Sequence, residues 1–94
     1  MNNYELLYII DNGADEETKE AVIGKISAIV TDAGGKVDTL DKWGAKKLAY
    51  PINYKTEGYY VLMNFAANSS VPAEIERVLK ITDSVLRSMI LIRN

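Results

Sequence analysis

The stretch Trp43-Gly44-Ala45-Lys46-Lys47 sets an aromatic ring, a flexible joint and two cations side by side. That combination suits a polyanion: Lys46 and Lys47 can reach phosphates, and Trp43 can pack on a ribose or a protein partner. It suits equally well a bulged edge strand kept soluble by lysines. Arg77, Lys80, Arg87 and Arg93 are the other clustered cations. Arg77 and Lys80 lie three apart, close to one helix face, with Glu76–Lys80 as a competing i,i+4 ion pair.

Catalytic chemistry finds little to work with. Cys and His are both absent, which removes thiolate ligands and nucleophiles, the commonest general base and the commonest metal ligand. Asp15-Glu16-Glu17 has no partner base and reads as a helix start. Gly34-Gly35 ends a helix instead of opening one, so it is not a phosphate loop. The expectation is a non-enzymatic protein with no catalytic residues, no metal, no cofactor and no small-molecule substrate. The lack of Cys fits a reducing cytoplasm. The apolar runs at 6–10 and 89–92 are far too short for a bilayer, and the first five residues lack the cationic region of a signal peptide. No membrane association is expected.

The charge is unevenly spread. Residues 1–41 hold nine acids and three bases, a balance of −6, and residues 42–94 hold four acids and eight bases, a balance of +4. The second half can face a polyanion, but a chain of net charge −2 is not drawn strongly to one as a whole. Binding nucleic acid would need a local basic patch or a basic partner. Two solvated faces of opposite sign are the alternative reading.

Elements must position these groups, and 94 residues with 48% hydrophobic and 26% charged content provide for one domain, residues 1–94. Residues 4–11 alternate with apolar side chains on both faces, which predicts a central strand. Asp15 is the expected N-cap of a helix whose stripe is Val22, Ile26, Ile29, Val30 and Ala33, stopped by Gly34-Gly35. Residues 36–52 read as a long, charged edge strand with a one-residue change of phase near Trp43-Gly44, as a β-bulge gives. Pro51 also suits an edge. Residues 53–58 read as a loop and 59–67 as a third strand, antiparallel to the second. Ser70-Val71-Pro72 opens a second helix with Ile75, Val78, Leu79 and Thr82 inward, and residues 85–93 form the last strand. The order βαββαβ is that of the α+β ferredoxin-like sandwich, a four-stranded antiparallel sheet with two helices on one face.

With Tyr8, Ile10, Met63, Phe65, Ile90 and Ile92 turned toward the helices, Leu7, Ile9, Tyr60, Leu62, Met89 and Leu91 fall on a face without cover. A patch of that kind predicts a protein partner. The RNA-recognition module has the same element order, but its third strand needs a basic residue and an inner aromatic for base stacking. Here Glu57-Gly58-Tyr59-Tyr60-Val61-Leu62 keeps only the Gly and the first aromatic, so stacking by that geometry is not expected.

The run Trp43-Gly44-Ala45-Lys46-Lys47-Leu48-Ala49-Tyr50-Pro51-Ile52 resembles the W/L-G-x-R/K-R/K-L-A-Y-P-I signature of the sixth protein of the bacterial small ribosomal subunit. Tyr4-Glu5, Gly58-Tyr59-Tyr60, the run from Ile75 to Asp83 and Val85-Leu86-Arg87 are similar to other parts of that family, so the resemblance spans the chain. It implies a ferredoxin-like fold and a structural role in the cytoplasmic ribosome. It also implies binding to the central domain of small-subunit rRNA together with the eighteenth small-subunit ribosomal protein. On that reading Trp43, Lys46, Lys47, Arg87 and Arg93 are the expected rRNA contacts. Leu7, Ile9, Tyr60, Leu62, Met89 and Leu91 are the expected partner surface. Asn2 and Asn3 depart from the basic residue that commonly follows the initiator Met in the family. The charged C-terminal extension of many members is absent from a sequence ending at Asn94. Two rivals share the fold. One is a small-molecule regulatory module dimerising through its sheet. The other is an acylphosphatase-type enzyme, which needs a loop Arg that Asp11-Asn12-Gly13-Ala14-Asp15 does not offer.

Overall fold

A computed structural model describes residues 1–52 and 54–93. The elements run β1 (Asn2–Asp11), α1 (Glu16–Asp32), β2 (Lys36–Ile52), β3 (Lys55–Ala67), α2 (Val71–Ile81) and β4 (Val85–Ile92). All neighbouring strands are antiparallel, in the order β2-β3-β1-β4. The expected ferredoxin-like sandwich is therefore the observed fold, with β1 central and β2 at an edge.

The helix ends follow their residues. The Asp15 side chain accepts a hydrogen bond from the Thr18 N–H at 2.7 Å, and the Thr18 hydroxyl, together with that N–H, holds its carboxyl below the usual carboxylate range. Glu16 and Glu17 occupy the first turn of α1, where the helix dipole favours acids. Gly34 beyond the C-cap sits at φ +82°, a conformation that glycine adopts without a Cβ penalty. Pro72 lies in the first turn of α2, where its missing N–H costs nothing.

One core fills the space between helices and sheet. Leu6, Tyr8 and Ile10 of β1 and Val61, Met63 and Phe65 of β3 are fully buried there against Ile26, Val30, Ile75 and Leu79. Tyr4 stacks on Phe65 with ring centroids 5.3 Å apart. In α1, Ile23 joins Val22, Ile26 and Val30 in the interior, Ile29 is half-buried, and the expected Ala33 is exposed because it caps the helix. Ile90 packs on the core as expected, but Ile92 is 67% exposed. Its register partner is Tyr4, at the far end of β1.

The second hairpin differs most from expectation. The phase change at Trp43 is present, since Lys42 pairs with Val61 and Gly44 with Tyr60, leaving Trp43 as the extra residue. Gly44 takes φ +83° there. A second bulge lies at Asp38, so Val37 faces the helices while Thr39 faces away, although a regular strand would put both on one face. The expected loop at 53–58 is also shorter: Lys46 pairs with Gly58, Lys47 with Glu57 and Ile52 with Lys55, so β3 begins at Lys55. Tyr54, at φ +65°, makes the turn. Asn53 lies outside the described residues.

The Tyr8 hydroxyl is buried with no hydrogen-bond partner in the protein, and burial pushes its pKa upward. A buried donor left unpaired costs about 1–3 kcal/mol. Tyr8→Phe, which keeps the ring, is therefore expected to leave stability unchanged or raise it by about 1 kcal/mol. Urea unfolding checks this, and a clear loss of stability would mean that the hydroxyl is satisfied by an internal water.

Candidate nucleic-acid and partner interface

Cross-strand partners share a face, so the register places the site. On the face away from the helices, Glu5 lies beside Asn64 and Leu91, Leu7 beside Leu62 and Met89, and Ile9 beside Tyr60 and Arg87. The six residues expected on this face are all there. Met89 and Leu91 are half exposed, at 50% and 52%, and Leu7, Tyr60 and Leu62 are partly covered. Leu7, Tyr60, Arg87 and Met89 line a shallow depression of about 210 Å³ with Ile9 at its floor.

The expectation of a face wholly without cover needs correction. Ile9 is only 7% exposed. The irregular pairing between Lys47 and Ile52 lets the end of β2 curl over this face, so Leu48 and Tyr50 close a small recess with Ile9, Tyr60 and Arg87. Gly58 permits the approach: a Cβ there would sit 2.2 Å from the Ile9 Cγ2 and 3.3 Å from the Leu48 Cδ2. Ile9 thus supports the surface from below and offers no exposed side chain of its own. Nothing in hydrophobic periodicity signalled this, because Leu48 follows two lysines on an edge strand.

The cations divide. Trp43 stacks on Tyr60 with centroids 6.4 Å apart and an interplanar angle of 11°, and the Lys46 ammonium lies 5.1 Å from the Trp43 ring centroid. Arg87 sits 5.9 Å from the Tyr50 ring centroid and donates to the Tyr50 hydroxyl. Trp43, Lys46 and Arg87 therefore gather with Tyr50 and Tyr60 at one end of the open face. Lys47 does not join them, because adjacent strand residues point to opposite faces. Arg93 is at the other end of the face, where its guanidinium lies 3.6 Å from the Glu5 carboxylate.

Acids of the first half of the chain neutralise part of the second. Lys42 reaches Glu20 of α1 at 2.6 Å, which raises its pKa, and Lys55 lies 3.3 Å from Asp11. The Gly13 N–H, and then Lys55, hold the Asp11 carboxyl below its usual range. On α2, Arg77 pairs with Glu74 at 2.5 Å, and the alternative Glu76–Lys80 pair is not formed among the described residues. Lys46, Lys47, Lys80 and Arg87 are left without an ion pair among the described residues. Among the same residues no cluster of acids could hold a metal ion, and no helix is long and apolar enough to cross a membrane.

The chain is a ferredoxin-like sandwich with a partly open apolar sheet face and cations gathered at one rim. Residues 3–91 match the family described as Ribosomal protein S6. The chain is 50% identical over 90 residues to the small ribosomal subunit protein bS6 of Clostridium novyi, covering 96% of this chain and 95% of that one. It is 48% identical over 92 residues to the bS6 protein of Clostridioides difficile, covering 98% and 99%. The crystal structure of 30S ribosomal protein S6 from Thermotoga maritima superposes with a TM-score of 0.91 at 27% identity, over 98% of this chain and 87% of that one. The chain belongs to the ribosomal protein S6 family, and its role is that of a structural, non-enzymatic protein of the small ribosomal subunit.

Gly58→Ala is expected to force β3 away from Ile9 and lift the curled end of β2. The loss should be about 1–3 kcal/mol in urea unfolding. Fluorescence of Trp43, the sole tryptophan, reports the same change through its stack on Tyr60. Unchanged stability and emission would show that Leu48 does not close on Ile9 in solution.

Proposed function

We propose that this chain binds the central domain of small-subunit rRNA as one half of a heterodimer with the eighteenth small-subunit ribosomal protein, in the cytoplasmic ribosome. The observation that carries the reading is the pairing of a partly open apolar face with a small cationic rim on a net-acidic molecule. Leu7, Leu62, Met89 and Leu91 offer apolar area for a protein, with Tyr60 at its margin. Lys46 and Arg87 offer cations beside Trp43 and Tyr50, aromatic rings that are 46% and 56% exposed. So few cations on a chain of net charge −2 give a weak grip on RNA alone, and a basic partner would supply the remainder. Family membership supports the same assignment.

Binding to a central-domain rRNA fragment is measured with and without the eighteenth small-subunit protein across a salt series. Binding is expected only with the partner present. Absence of binding in both cases would overturn the proposal and favour the metabolite-binding module, which a ligand-induced rise in melting temperature would then reveal.

Two sets of substitutions separate the surfaces. Lys46→Ala with Lys47→Ala is expected to weaken rRNA binding and to lower the slope of log K against log salt by about 1–2, with folding unaffected. An unchanged slope removes both from the contact set. Since the two side chains leave opposite faces of β2, the single variants show which face meets RNA. Tyr60→Asp is expected to disrupt the heterodimer, and unimpaired pairing would argue against docking on the open face.

A further inference from the structure

The two edges of the sheet are built differently. β2 carries six charged residues, two bulges and Pro51 along its 17 residues, features that keep another strand from adding to an edge. β4 has fewer of them: in Val85–Ile92, Arg87 is the sole charge, one register irregularity falls at Leu86, and there is no Pro or Gly.

The phase of its backbone follows from one bond. The Arg93 N–H donates to the Asn3 carbonyl at 2.7 Å, one member of a hydrogen-bonded antiparallel pair. Residues of the same parity, Leu91, Met89 and Arg87, therefore turn their N–H and C=O groups toward β1. Ser88, Ile90 and Ile92 turn theirs outward, and Leu86 is the extra residue of the irregularity before Arg87. β4 is the outermost strand of the described sheet, so this outward row meets no further strand.

Beside the row, between the end of α2 and the start of β4, lies a cleft of about 340 Å³ lined by Leu79, Lys80, Val85, Leu86, Arg87 and Ser88. Lys80 and Arg87 border it and no acid does, but the Arg87 guanidinium turns to Tyr50 on the open face, which leaves Lys80 as the cation the cleft presents. Ile81 and Ile92, 64% and 67% exposed, add apolar surface on the same side of the sheet.

We propose that the free edge of β4 accepts an added strand from a partner polypeptide. The strand is an extended segment, apolar at alternate positions and acidic where it passes Lys80. The outward N–H and C=O row supplies the main-chain ladder, and the cleft supplies side-chain selection. RNA could use Lys80 but not the alternating donors and acceptors or the apolar lining. A second copy of this chain fits poorly, since the one charge its own β4 would bring is another cation, Arg87, and no acid to meet Lys80. The main-chain ladder of this edge does not use the open sheet face, although Arg87 and Ser88 border both surfaces.

The test follows amide exchange of the full chain by NMR during titration with acetyl-Glu-Val-Thr-Val-Thr-Val-Glu-amide. The peptide is expected to slow exchange at Ser88 and Ile90 about tenfold or more and to leave β2 unaffected. Lys80→Glu should weaken the peptide about tenfold, and the same peptide with Lys at both ends should bind that variant better than the original chain. Ser88→Pro, which removes an outward donor but no bond to β1, should abolish the protection. Three results overturn the proposal: no protection of β4 at millimolar peptide, protection by a polyuridine oligonucleotide in place of the peptide, or self-association of the free chain that protects the same amides.

Discussion

Leu6, Tyr8 and Ile10 alternate with Leu7 and Ile9 along β1, so the central strand demands burial on both sides of a sheet that has helices on only one. The helical side is met in the ordinary way, by a close-packed layer around Tyr8, Met63 and Phe65. The other side is met in part by the chain itself. The last residues of β2 curl over Ile9, Gly58 yields the space, and Leu48 and Tyr50 fill it. What remains open, from Leu7 to Leu91, is the part of β1's demand that no intramolecular element satisfies. The open face is thus a residue of the folding problem.

Electrostatics divides the molecule along similar lines. The acidic first half and the basic second half are not two opposed faces. Glu20, Asp11 and Glu5 each reach across to a cation of the second half. These exposed pairs add little stability. Their effect is selective: with the Arg77–Glu74 pair, they leave Lys46, Lys47, Lys80 and Arg87 as the cations of the second half without an acid among the described residues. Two of those four sit on aromatic rings at one rim of the open face.

Much of this was legible in the sequence. Period-2 and period-3.6 patterns placed all six elements, Asp15 marked the start of α1, and the change of parity between Val37 and Leu48 revealed the Trp43 bulge. The Asp38 bulge was not legible, because Val37 and Thr39 sit at the start of a charged edge strand where no alternation distinguishes inside from outside. The extension of β3 to Lys55 was hidden for the same reason: Lys55-Thr56-Glu57-Gly58 has the composition of a loop and is held as strand by its partner. Leu48 was visible as apolar but not as a cover for Ile9, which depends on a curl that only the three-dimensional hairpin supplies. The division between Lys46 and Lys47 followed from strand parity, yet reading them as a pair of like cations obscured it.

The two bulges of β2 also bear on how this sequence can diverge. Each extra residue exchanges the inward and outward sets of everything after it, so the positions of Lys46, Leu48 and Tyr50 depend on the count of residues before them as well as on their identity. With the Trp43 bulge kept, a single deletion between Gly44 and Lys47 would send Leu48 to the helix side, put Lys47 in the place of Lys46 and leave Ala49 over Ile9. Substitutions in this stretch can accumulate one at a time, whereas a change of length keeps these faces only if it removes a bulge or is compensated by a second change. The strand that looks most permissive by composition is the one in which descent is most strictly confined to replacement.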